Sequence, residues 1–349
     1  MRRPAAISVF VAAVLLTGAC GDEVRGGRFT ACMVADTGGL DDKSFNAEAY
    51  AGVQQAARVD PSIEVREQTA GAAADYAPLI DAFVSQGCGL IVTVGVAMSE
   101  ATQQSARTHP SQHYAIVDGK SVAPVVKGIQ FNAAQSAFLA GYVAASMTRT
   151  GKVATFGGVD IPGVRIFMDG YWEGVQYYNK EHQADVQVLG WHEPTQSGTF
   201  PSPQSFTDPA AGRQLTAAFQ AQGADIVLPV AGTTGLGALM RAKESGGTLS
   251  AIWVENDGYH SNPDYSSVIM TSVVRNIASA VGTVVAAAAG GHHNTASYIG
   301  DLANNGTGMA PFHDYASSVP STLQSELDVI RQGIINGSIP ITSPNQPTP

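Results

Sequence analysis

The chain has 349 residues, 44% of them apolar, and a formal net charge of -10. That length buries one large core or two medium ones and favours two domains. The acidic balance, with no basic run after the first residues, excludes a nucleic-acid groove, which needs a basic face.

In chain order, Met1 to Cys20 comes first and reads as an export signal. Arg2 and Arg3 give the charged start, and Ile7 to Leu16 is an apolar stretch too short to span a bilayer. Small residues then lead into a cysteine in Leu16-Thr17-Gly18-Ala19-Cys20. This pattern resembles the lipobox of bacterial lipoproteins, although Thr17 stands where a leucine is usual. The resemblance implies that Cys20 is lipidated and becomes the mature N-terminus, with residues 21–28 as a polar tether. Two acyl chains would anchor the protein on the extracytoplasmic face of the cell membrane without a spanning helix. The alternative is an ordinary secretory signal in which Cys20 is incidental.

After the tether, strands and helices alternate. Strands are expected at Phe29–Asp36, Ile63–Glu67, Leu90–Val94, Tyr114–Val117 and Val125–Gln130, with helices at Ser44–Arg58, Tyr76–Gln86 and Ser99–Thr108 between them. The pattern then restarts with a helix at Ser136–Thr148. Strands at Lys152–Phe156, Val186–Leu189, Asp225–Pro229 and Ala251–Val254 follow, separated by helices at Val164–Tyr178, Asp208–Gln222 and Gly235–Glu244. Continuous apolar strands between helices imply parallel sheets covered on both faces. The expected domains are therefore an N-terminal α/β lobe over 29–132 and a C-terminal α/β lobe over 133–254. Periodicity does not divide residues 255–349 between them, although a strand near Val268–Ser272 and a helix at Ile277–Ala289 are expected there. The last residues, Thr342 to Pro349, are Pro-rich and expected to fray. Cys32 and Cys88 fall at neighbouring strands, where they can form a disulfide or remain two buried thiols.

Two open α/β lobes turn their strand C-termini towards a shared crevice. The most informative stretch at such a position is Ala35-Asp36-Thr37-Gly38-Gly39-Leu40-Asp41-Asp42-Lys43-Ser44-Phe45-Asn46. Turn and cap roles account for its glycines and for Asp41, Asp42 and Ser44. They account less well for Phe45 and Asn46, an aromatic and an amide placed to stack on and hydrogen-bond a planar ligand.

This stretch resembles the signature of the basic membrane protein family, the purine-nucleoside-binding lipoproteins of ABC transporters. The resemblance continues through Ala115-Ile116-Val117-Asp118, Phe138-Leu139-Ala140-Gly141-Tyr142 and Gly157-Gly158-Val159-Asp160. Ser205-Phe206-Thr207-Asp208-Pro209, Ala231-Gly232-Thr233-Thr234-Gly235 and Thr271-Ser272-Val273-Val274-Arg275 extend it in order. It implies a type I periplasmic-binding-protein fold, two doubly wound parallel-sheet lobes joined by a hinge. It also implies a small-molecule ligand in the cleft, most of all a purine nucleoside, an ABC permease as partner, and a monomer with no cofactor. Phe45 would stack on the base, with Phe206 on its other face. Asp118 would accept from the base edge, and Asp36 and Asn46 would line the same floor.

The sugar side departs from the family pattern. Where the family has Gly-Val-Asp-x-Asp-Gln and Thr-Ser-x-x-Lys, this chain has Trp253-Val254-Glu255-Asn256-Asp257-Gly258 and Thr271-Ser272-Val273-Val274-Arg275. Trp253, Glu255, Asp257 and Arg275 are therefore candidate ligand residues that would reshape the sugar pocket. Alternatively, Trp253 points into its lobe and Glu255 pairs with Arg275. No Walker motif, nucleophile elbow or metal-ligand spacing occurs, so neither catalytic nor metal residues are expected. Other classes to separate are a ligand-binding sensor lipoprotein without a permease and an exported nucleoside hydrolase.

Overall fold

A computed structural model of the protein describes residues 28–348. The export signal, Cys20 and nearly all of the tether lie outside the described residues. The first part of the chain forms β1 (Phe29–Ala35), α1 (Phe45–Val59), β2 (Ile63–Thr69), α2 (Tyr76–Ser85), β3 (Leu90–Val94), α3 (Ser99–Thr108), β4 (Tyr114–Val117) and β5 (Val126–Phe131). The second part forms α4 (Ala133–Met147), β6 (Lys152–Gly157), α5 (Pro162–His182) and β7 (Gln187–Leu189). A short hairpin of β8 (Trp191–His192) and β9 (Ser197–Gly198) follows, then α6 (Pro209–Ala221), β10 (Ile226–Val230), α7 (Leu236–Glu244) and β11 (Ser250–Glu255). The remainder forms α8 (Gly258–Ser261), β12 (Ile269–Arg275), α9 (Ile277–Ala289), β13 (Tyr298–Gly300), β14 (Thr307–Met309) and α10 (Leu323–Ile335).

These strands make two separate sheets, ordered β13-β5-β4-β3-β1-β2 and β14-β12-β11-β10-β6-β7. Every pairing in both sheets is parallel except β12 with β14. The central strands Leu-Ile-Val-Thr-Val and Ile-Val-Leu-Pro-Val are buried at every residue. Runs of that kind need helices on both faces, and the two lobes supply them. The two parallel α/β lobes are those expected from the periodicity, and their architecture is the type I periplasmic-binding fold that the family resemblance implies.

Strand pairing settles how the last hundred residues are shared. β12 joins the second sheet, α9 packs against α1 in the first lobe, β13 pairs with β5, and β14 returns to β12. The chain thus crosses between lobes after β5, after β12 and after β13. These crossings are tied together: Asn132 N donates to Gly300 O at 2.8 Å and Asn276 N to Gly306 O at 2.9 Å. A Cβ on Gly306 would lie 2.2 Å from Gly300 Cα, so glycine is what lets the two ends of the crossing after β13 touch, and the other two crossings are bonded one to each end.

Cys32 and Cys88 form a disulfide with a Cα separation of 6.0 Å, which decides between the two sequence readings. The expectation of a frayed C-terminus is corrected. Ser343 is buried, its Oγ donates to Asp169 Oδ2 at 2.6 Å, and Asn345 Nδ2 donates to the same oxygen at 2.8 Å. Buried partners on α5, not regular structure, hold this segment.

Candidate functional site

The strand C-termini of both lobes open onto a shared cavity of about 650 Å³. The first lobe contributes Asp36, Phe45, Asn46 and Asp118, and the second contributes Phe206, Glu255 and Arg275. Seven of the nine expected ligand residues therefore converge.

The floor is built around the start of α1. The Asp42 carboxylate accepts from the backbone N–H groups of Ser44, Asn46 and Ala47 at 2.9, 2.8 and 3.1 Å. Three of the orphan donors of a helix start are thereby satisfied, which fixes where Phe45 and Asn46 emerge. Asn46 Nδ2 donates to Asp36 Oδ1 at 2.7 Å and to Asp42 Oδ2 at 3.1 Å, while its Oδ1 accepts from Asp36 N at 3.1 Å. Asn46 is thus largely committed to holding Asp36. Burial raises the Asp36 carboxyl above its ordinary value, against the hydrogen bond from Asn46.

Arg275 dominates the opposite side. Its Nη1 donates to both oxygens of Asp118, at 2.8 and 2.9 Å, across the cleft. Its Nε and Nη2 donate to the two oxygens of Glu255 at 2.5 and 2.8 Å. The guanidinium is 4% exposed, and its carbon lies 5.2 to 5.4 Å from the ring centres of Phe45, Phe131 and Phe167. A planar fork with five donors suits this double pairing, where a lysine has a single point charge. Burial pushes the Glu255 carboxyl up to about 7; Arg275 opposes the rise and Asp118 adds to it. Burial alone would lower Arg275, but the two carboxylates more than offset it and hold the guanidinium above its usual value.

Both carboxylates on Arg275 sit in the left-handed backbone region, Asp118 at φ 60° and Glu255 at φ 77°. Such conformations cost energy and persist where surroundings over-determine them. At Glu255 the consequence is direct. Ala251 and Trp253 face the helix-covered core on one side of β11, and strand alternation would send Glu255 after them. The positive φ falls where the strand ends, and Glu255 instead reaches the cleft.

Two expected ligand residues are elsewhere, and both assignments are corrected. Trp253 is fully buried among Phe156, Phe219 and Leu239 and does not line the cavity. Asp257 also lies off the cavity; it caps α8, accepting from Tyr259 N at 3.2 Å, and its Oδ2 meets His313 Nε2 at 2.8 Å. The chain turns away from the cleft at Gly258, whose N–H donates to Ser272 Oγ at 2.9 Å.

Sequence reasoning missed three contributors. Asp42 was expected only as a cap, yet it also lines the cavity. Gln130 lines it too, with a buried Oε1 that has no partner among the described residues; a polar side chain inside the apolar run of β5 is a signal for it. Pro344 to Thr348 close one side of the cavity, and nothing in their composition announces this.

A second link crosses the cleft at its rim. Asn256 Nδ2 donates to Lys43 O at 2.9 Å and Glu48 Oε1 at 3.2 Å.

A family model described as "ABC transporter substrate-binding protein PnrA-like" matches residues 29–345. Among curated proteins, the chain is 29% identical to basic membrane protein A of Borreliella burgdorferi, covering 88% of this chain and 86% of that one. It is also 29% identical to the ABC transporter nucleoside-binding protein BmpA of Lactococcus lactis, covering 73% and 72%. Among solved structures, an ABC transporter solute-binding protein from Aeropyrum pernix superposes with a TM-score of 0.77 at 25% identity, covering 90% and 94%.

Proposed function

Because the chain belongs to the PnrA-like family of ABC transporter substrate-binding proteins, we propose that its interlobe cleft takes up a purine nucleoside for import. The family is one of binding proteins, not enzymes. Such a protein works outside the cytoplasm, carries a small molecule and has a permease as its partner.

The observation that carries the nucleoside reading is the Phe45 ring beside Asp36 and Asp118 in a cavity of about 650 Å³. That volume suits a nucleoside-sized ligand. Phe45 stacks on one face of the base and Phe206 covers the other. Asp118 accepts an N–H of the base edge. Each of its oxygens takes one hydrogen bond from Arg275 and keeps a lone pair for the ligand. Asp36 and Gln130 add acceptors to the same floor, and Glu255 with Arg275 meets the sugar hydroxyls. A relative whose printed name is nucleoside-binding supports the class.

Cys20 carries the lipid anchor in this account. Among the described residues no helix is long and apolar enough to cross a membrane; what supports the acylated cysteine is the lipobox-like run Leu16-Thr17-Gly18-Ala19-Cys20.

A thermal-shift panel tests the ligand class. Purine nucleosides should raise Tm in a concentration-dependent way, while pyrimidine nucleosides, free sugars and amino acids leave it unchanged. A shift with sugars or amino acids alone would overturn the purine assignment.

A further inference from the structure

Outside the cleft, three side chains that no ligand role absorbs converge on one point. Asp257, His260 and His313 each direct one donor atom to a common centre, with all three atoms within 4.8 Å of one another. Asp257 Oδ2 lies 2.8 Å from His313 Nε2 and 3.8 Å from His260 Nε2. Donors bound tetrahedrally at about 2.0–2.1 Å from a zinc ion stand roughly 3.3 Å apart, between these two separations.

The donors are also held in place. Asp257 Oδ1 accepts from Tyr259 N at 3.2 Å, which leaves Oδ2 turned to both imidazoles. The Tyr259 ring stacks on His313 with centres 4.1 Å apart and planes 13° from parallel, and it meets His260 edge-on at 5.4 Å. Tyr259 OH in turn donates to Asp314 Oδ1 at 3.1 Å. His313 itself sits at φ 43°, a left-handed conformation that aims its ring back at α8. Supports of this kind around ligating side chains are what orient them for a metal.

From this geometry we propose that Asp257, His260 and His313 form a binding site for a late first-row divalent cation such as Zn²⁺. Two imidazole nitrogens and one carboxylate oxygen suit such ions, whereas Mg²⁺ and Ca²⁺ prefer all-oxygen shells. His260 is 73% exposed at its side chain, so an ion has a direct entry path and a fourth position for water. None of the three residues lines the nucleoside cavity, so the site stands whether or not the nucleoside reading holds. It lies one residue beyond Asn256, whose side chain bridges the lobes, which places the ion beside the rim of the cleft.

The test is calorimetric titration of chelator-stripped protein with ZnCl₂, with MgCl₂ as the comparison. Saturable one-to-one Zn²⁺ binding is expected, with none for Mg²⁺. His260→Ala removes an exposed side chain without disturbing the fold, and His313→Asn keeps a residue that tolerates the left-handed backbone. Each should weaken Zn²⁺ binding by about tenfold or more, with metal-free Tm close to wild type for His260→Ala. His292→Ala, an exposed histidine elsewhere, should leave binding unchanged. No saturable Zn²⁺ binding, binding that survives both substitutions, or binding lost in His292→Ala would each overturn the site.

Discussion

Arg275 carries more of the site than any other single side chain. It neutralises one carboxylate from each lobe, and both of its partners are largely buried. Replacing it with Met leaves those charges without a counter-ion. Breaking a buried pair in this way costs about 3–5 kcal/mol, so Arg275→Met should unfold at clearly lower urea. Adding Glu255→Gln should return part of the loss, because one of the uncompensated charges is then gone; equal midpoints for wild type and Arg275→Met would sink this reading. The sequence could nominate Asp118, Glu255 and Arg275 from motif positions and offered a Glu255–Arg275 pair as one of two readings, which the structure shows. It could not show that the same guanidinium also holds Asp118, since Asp118 and Arg275 are 157 positions apart. For Trp253 the alternative reading, a side chain pointing into its lobe, is the one the structure bears out. Trp253 shares the face of Ala251 in an alternating strand, and that face belongs to the core.

Among the elements, the α4–α5 pair sets the second lobe. A Cβ on Gly141 would stand 2.0 Å from Tyr171 O, and one on Gly174 the same distance from Phe138 O. The two helices therefore touch backbone to backbone, and twelve of the fifteen residues of α4 are buried. Gly174→Ala should force them apart at about 1–3 kcal/mol, read as a lower midpoint in chemical denaturation; an unchanged midpoint would mean the contact relaxes freely. The neighbouring Glu173 accepts from Thr342 N at 3.0 Å and is pushed by burial up to about 7, from an ordinary 4.5. Between those values the folded state holds a proton that the unfolded state has lost. Its contribution to stability is therefore full below pH 4.5 and declines as pH rises to about 7. Wild type should lose more Tm over that range than Glu173→Gln, and parallel losses would contradict the assignment. Long periodic helices and continuous apolar strands were readable within a few residues. β13 and β14 were not, because three residues are too few for a period-2 pattern. Leu323, Leu327, Ile330 and Ile334 do carry a helical period in α10, so that helix was legible in principle. The segment after it has no period, and its contacts with Asp169, Glu173, Gln196 and Asn132 are what give it a place.

At the scale of the molecule, two α/β lobes meet along a cleft and are joined by three chain crossings. Domain closure around a ligand is an established motion of such architectures, and here Arg275–Asp118 and Asn256–Lys43 link the lobes across it. The restart of the α/β pattern after residue 133 was visible in the sequence. The shuttling of β12, α9, β13 and β14 between lobes was not, because it depends on pairings between strands far apart in the chain. The family resemblance supplied what periodicity lacked, the expectation of one ligand held between both lobes. That expectation is tested most directly by calorimetric titration of wild type and Phe45→Ala with a purine nucleoside such as inosine. The account predicts saturable one-to-one binding to wild type, weakened in Phe45→Ala by about 1–3 kcal/mol through lost stacking. No binding to wild type, or equal affinity in the variant, would contradict a nucleoside held against Phe45 in this cleft.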